Sequence, residues 1–134
     1  MQRPTQSVGF TLVELIVALT IISILLAIAV PMYKNYILAG HRAEAYQALL
    51  QLEQREQRYY LFNNTYASST STLNVGSLSN TGLYSLSISS ATTTGYTATA
   101  IASGSQTSDS SCLTLQLIVA TSTVTYSPQS CWSQ

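Results

Sequence analysis

A chain of 134 residues has room for one compact domain and little else. Its side chains are 46% hydrophobic and only 7% charged, where a typical soluble domain carries about 25% charged residues, so a membrane or an assembly partner must keep it from aggregating. Five basic and five acidic residues cancel to a formal net charge of zero, a balance that excludes a broad electrostatic footprint for nucleic acid.

Residues 1–9, MQRPTQSVG, form a short polar leader with one positive charge, Arg3. Residues 10–30 read FTLVELIVALTIISILLAIAV, in which Glu14 is the sole ionisable side chain. At about 1.5 Å rise per residue a helix of this length reaches roughly 30 Å, the thickness of a bilayer core. A secretory signal closes its apolar core with a small-residue cleavage site. Here Val30 leads straight into Pro31-Met32-Tyr33-Lys34, so the apolar segment is expected to be retained. Pro31 lacks a backbone donor and its ring clashes with the preceding turn, which predicts a break: a kink or a local melting of the helix. Gly40 is a second soft point.

Beyond Gly40, helical periodicity returns in HRAEAYQALLQLEQREQRYYLF. Ala45, Ala48, Leu49, Leu52 and Tyr59 recur at helical spacings, while Arg42, Glu44, Glu53, Arg55 and Arg58 fall largely off that stripe. The first half of the helix is therefore apolar all round and the second half amphipathic. Asn63-Asn64-Thr65 supplies a stop, and a loop of Ser, Thr, Asn and Gly runs to about Gly82. Alternating apolar and hydroxyl residues then predict strands over 83–88, 96–101, 113–119 and 123–126. Thr94-Gly95, Ser103-Gly104 and Ala120-Thr121-Ser122 mark the turns. Such strands have one buried and one wet face, as in an antiparallel sheet, and the amphipathic helix is the available cover. The predicted fold class is α+β, a long N-terminal α-helix packed on a small antiparallel β-sheet. Its divisions are 1–9 (leader), 10–33 (membrane or core helix), 34–62 (amphipathic helix) and 63–134 (variable loop, sheet and cysteine loop).

Few residues suit chemistry. His41 stands alone without metal-ligand spacing, Asp109 is the only acid after Glu56, and no base accompanies the many serines. No metal, cofactor or enzymatic activity is expected. Cys112 and Cys131 form an even pair behind an export-type N-terminus, which favours a disulfide; two buried free thiols are the alternative. Closing a loop of that size would remove about 3 kcal/mol of unfolded-state entropy. Glu14 is the sharpest feature, because a carboxylate near the top of a membrane helix is costly unless neutralised or paired. Removal of the leader would expose an α-amino group on Phe10. That amine could sit beside Glu14 of a neighbouring copy and reward one axial register. The alternatives are a carboxylate at headgroup level or one paired within its own chain.

Gly9-Phe10-Thr11-Leu12-Val13-Glu14 with the apolar run behind it resembles the class III signal of type IV pilins and pseudopilins. The resemblance implies that a prepilin peptidase cuts after Gly9 and N-methylates Phe10. Further along, Arg42-Ala43-Glu44-Ala45, Glu56-Gln57-Arg58-Tyr59-Tyr60 and Asn64-Thr65-Tyr66 resemble the PilE-like minor pilins. So do Gly95-Tyr96-Thr97-Ala98-Thr99-Ala100, Gln106, the segment from Asp109 to Leu115, and Cys131-Trp132. This implies the type IV pilin fold and a structural, minor subunit of a pilus used in twitching motility, adhesion or DNA uptake. Implied partners are other pilin subunits, in homo- and hetero-assembly, the peptidase, and the inner-membrane assembly machinery. The implied course runs from a precursor in the bacterial inner membrane to a periplasm-spanning, extracellular pilus. The family also implies that a Cys112–Cys131 bridge bounds an outward-facing loop. Trp132 beside it is expected to pack over the bridge, with a recognition aromatic as the alternative. A pseudopilin of a type II secretion system is one alternative. A pilus-displayed DNA-uptake receptor is another. That reading needs a basic stripe with aromatics, and no Lys or Arg follows Arg58, so nucleic acid is not an expected partner.

Overall fold

A computed structural model describes residues 9–132, so the leader, apart from Gly9, lies outside the described residues. The chain divides into two compact units, Met1–Asn35 and Tyr36–Gln134. Helix α1 spans Leu12–Asn63. It begins at Thr11, whose Oγ1 accepts the Glu14 backbone N–H at 3.2 Å. Thr-x-x-Glu is the sequence of a capping box, and this bond satisfies one of the orphan donors of the first turn.

Of the two forms of break expected at Pro31, local melting does not occur, since α1 is helical without interruption through Pro31 and Gly40. Proline deletes a single i→i−4 bond, the one that would have reached the carbonyl of Ala27. The intact bonds on either side hold the turn. The helix does end at the tandem asparagines. Asn64 adopts a left-handed conformation (φ 53°) and its N–H donates to the Tyr60 carbonyl at 2.8 Å, the usual way to satisfy a last-turn carbonyl.

In the first unit, the apolar side chains from Leu12 to Met32 are exposed. The hydroxyls of Thr20 and Ser23 donate back to the carbonyls of Ile16 and Thr20, both at 2.8 Å, so neither presents an unpaired donor to its surroundings. The segment is long and apolar enough to cross a membrane.

The second unit holds the sheet. Strands β1 (Tyr84–Ser89), β2 (Gly95–Ala102), β3 (Thr114–Ala120) and β4 (Thr123–Ser127) form an antiparallel meander in that order. Tyr84, Leu86 and Ile88 of β1, Tyr96, Ala98 and Ala100 of β2, and Leu115, Leu117 and Val119 of β3 are buried at alternate positions. They join Ala45, Ala48, Leu49 and Leu52 of α1 in a single core. The register pairs Leu86 with Ala100 and Ala100 with Leu115, so a small residue sits between large ones across the middle of the sheet. A Cβ on Gly95 would lie 2.2 Å from the Val119 carbonyl oxygen, which is why β2 must start on glycine. Thr121 (φ 48°) and Ser122 (φ 68°) make the two-residue turn between β3 and β4. Positive φ at both positions matches the right-handed twist of the flanking strands. Between β2 and β3, short 3-10 turns at Gly104–Ser108 and Ser110–Cys112 replace the simple turn read from the sequence.

Candidate functional site

The residues singled out for processing share one helix start. A Cβ added to Gly9 would meet nothing within 4 Å, so no packing within the described chain demands a glycine there. Phe10 is 84% exposed. Glu14 lies in the first turn of α1, where a carboxylate interacts favourably with the positive end of the helix dipole. Thr11 was not marked by sequence reading. Its signal was the three-residue spacing to Glu14.

In the second unit, segments far apart in sequence converge. The Arg42 guanidinium donates from Nε to Asp109 Oδ2 at 2.7 Å and from Nη2 to Oδ1 at 2.8 Å, a two-pronged ion pair. Its hydrogen bond to Asp109 outweighs the opposing effect of burial and raises the guanidinium above its ordinary pKa. Fully buried Gln106 donates from Nε2 to the Leu38 carbonyl at 3.0 Å and to Asp109 Oδ2 at 3.2 Å. Its Oε1 lies 3.2 Å from His41 Nδ1, which must be the protonated nitrogen because an amide oxygen only accepts. Gln106 and Asp109 thus join the loop before Cys112 to His41, Arg42 and the backbone of the helix. Two segments that resembled the same family by sequence are here a single contact.

Two glutamates of α1 hold loops in the same manner. Glu44 accepts the backbone N–H of Thr81 at 2.8 Å and also its hydroxyl. Burial works against its charge, but hydrogen bonds from Ser79 and Thr81 prevail and hold the carboxyl below its usual value. Glu56 is fully buried, and its Oε2 accepts the Ala67 N–H at 2.8 Å. Its Oε1 has no hydrogen-bond partner among the described residues. Desolvation raises this carboxyl, and the Ala67 bond offsets only part of the shift. Sequence reading passed over Glu56 as a site, although it falls four residues after Leu52 on the buried stripe.

Cys112 and Cys131 are bonded, with Cα atoms 5.8 Å apart. Trp132, expected over the bridge, stacks with Tyr46 of α1 at 4.8 Å between ring centroids and tilts against Tyr126 of β4 at 4.5 Å. Its indole N–H donates to the Ser127 carbonyl at 3.3 Å. These contacts make it an anchor of the C-terminus, not a free aromatic.

A long N-terminal helix, open and apolar at its start, with an antiparallel sheet packed on its later turns and a disulfide near the C-terminus, is the α+β arrangement of the type IV pilins. Residues 31–116 match the family described as "Type IV minor pilin ComP, DNA uptake sequence receptor", and residues 9–30 match the prokaryotic N-terminal methylation motif. The first match spans more than half of the chain, and the chain belongs to this family of type IV minor pilins. A search of curated proteins finds no match. The family match takes in Arg42, Glu44, Glu56, Gln106, Asp109 and Cys112 and stops short of Cys131 and Trp132. It makes the chain a structural subunit that assembles with other pilins through the pilus machinery. The methylation motif and apolar helix fit a membrane-anchored precursor and then an extracellular pilus.

Proposed function

We propose that the precursor is cut between Gly9 and Phe10, that the new Phe10 amine is methylated, and that Glu14 then sets the axial register of the subunit in the filament. The observation that carries this reading is an open apolar helix interrupted by one acid, beginning directly at the matched motif. Leu12 to Val30 would be costly to expose to water, at about 25 cal/mol per Å² of apolar surface. Such a rod must pass from lipid directly into a bundle of similar rods, driven by the assembly machine. Within that bundle a carboxylate paired with a neighbour's amine favours one stagger, and any other stagger leaves it unpaired. Thr11 keeps the first turn wound, so Glu14 is presented on a formed helix. The test is Glu14→Ala in the full chain. The variant should still insert, be cut and begin at N-methylated Phe10 by mass spectrometry, yet be missing from sheared filaments. Normal incorporation would overturn the role given to Glu14.

A second reading, a receptor for DNA displayed on the pilus, is favoured by the description of the matched family. Twitching motility and adhesion are the other uses such a filament would serve. A type II secretion pseudopilin is disfavoured by the same match.

A further inference from the structure

The free positive charge of the second unit is gathered on one patch of α1. The cations of the described residues are Lys34, Arg42, Arg55 and Arg58. Lys34 belongs to the first unit, and Arg42 is consumed by Asp109. Arg55 and Arg58 are exposed and have no ion pair among the described residues. At i and i+3 they are neighbours on the helix surface. Glu53 lies two residues before Arg55 and so on another side, and Glu56 is buried. No acid shares the patch.

Both arginines line a depression of about 200 Å³ together with Phe62, Tyr59 and Leu73. Phe62 is 86% exposed, more open than any other large apolar residue of its unit. On the adjoining side both arginines also border a trough of about 740 Å³. Gln51, Gln54, Gln57 and Asn74 place amides along it. Paired guanidiniums, an open aromatic face and amides along the flank are the components of a surface that tracks a phosphodiester chain and stacks an unpaired base.

We propose that DNA docks on this face of α1, with its phosphates on Arg55 and Arg58 and a base on Phe62. The proposal rests on the DNA-receptor reading and goes further by placing the contact on the last turns of the helix. The sheet and the C-terminal loop carry no Lys or Arg to hold phosphate.

The experiment is fluorescence anisotropy of the full mature chain in nonionic detergent, with a short fluorescein-labelled DNA single strand and the matching duplex as probes. Two phosphate contacts give a log–log salt slope of about −1.8 on the duplex and about −1.4 on the single strand, so affinity should fall about 12-fold and about 7-fold respectively between 50 and 200 mM NaCl. Arg55→Gln with Arg58→Gln should flatten that slope, and each single change should reduce it by about 1. Phe62→Ala should weaken the single strand about tenfold and spare the duplex. Lys34→Gln should leave both unchanged. An unaltered thermal melt of the variants separates loss of the surface from loss of the fold. If the wild-type chain bound neither probe, the receptor reading itself would fall. If it bound DNA and the double arginine variant kept the same slope, this face would be wrong and the receptor reading would stand. A Phe62→Ala chain that held the single strand as well as the wild type would remove the stacking contact.

Discussion

The two units of this chain use the same kind of side chain to opposite ends. Leu49, Leu52, Leu115 and Leu117 are fully buried in the second unit, whereas Leu15, Leu19, Leu25 and Leu26 of the first each keep more than half of their surface open. Burying a leucine is worth about 1.5–3 kcal/mol. The second unit collects that gain within itself, and the first leaves it to be collected from lipid or from neighbouring subunits. The low charge content of the whole chain is therefore an average over two different solutions. One is a domain that is stable by its own core. The other is a segment finished only by its surroundings.

The largest effect expected from this contrast comes from paired truncations. Leu52→Ala should cost about 2–5 kcal/mol of the second unit's stability, because the cavity it leaves cannot fully collapse. Urea unfolding of the full chain in detergent would register it as a lower midpoint. Leu19→Ala removes the same atoms from an open site, so the midpoint should hold while recovery in sheared filaments drops. A shared loss of midpoint would show that the first unit supports the second after all. The stripe holding Leu52 was readable from spacing alone, as were the four strands, each placed within about a residue of its observed limits. Period-2 and period-3.6 patterns record which face is buried, and that information is local. Local melting at Pro31, one of the two expected outcomes, is absent because a single lost hydrogen bond does not outweigh the turns around it.

A smaller loss tests what joins the loop before Cys112 to α1. Arg42→Ala would leave Asp109, 6% exposed, without its bidentate partner. Charge-assisted hydrogen bonds of this kind contribute about 1.5–3 kcal/mol, so a midpoint shift below that of Leu52→Ala is expected. Restoring charge with Arg42→Lys should recover only part of it, since an ammonium cannot make the two-pronged contact. No sequence pattern could foretell this pair, because 67 positions separate its members. Only the fold gives them a common location, with Gln106 filling the space between the helix backbone and Asp109. The resemblance had picked out both segments without indicating that they touch.

The smallest and most specific effect concerns Glu56, the one fully buried carboxyl of the second unit. Its folded-state pKa is raised by desolvation, with the Ala67 N–H opposing. A raised carboxyl binds its proton more tightly in the folded state than in the unfolded chain. Its contribution to stability is therefore fully present below the ordinary value of about 4.5 and is lost as pH climbs through the raised folded value. Glu44 works in the opposite sense: its carboxyl is held low, so its contribution is lost as pH falls. The two would blur in a wild-type profile, and subtracting a variant separates them. Glu56→Gln keeps an oxygen for the Ala67 N–H and never ionises. The difference in urea midpoint between variant and wild type should grow in the variant's favour from acid towards neutral pH. A difference that stayed flat across that range would mean that Glu56 is as well accommodated charged as neutral. Its unpartnered oxygen would then have to be satisfied by water that has entered the core, which would weaken the picture of a second unit sealed by its own side chains.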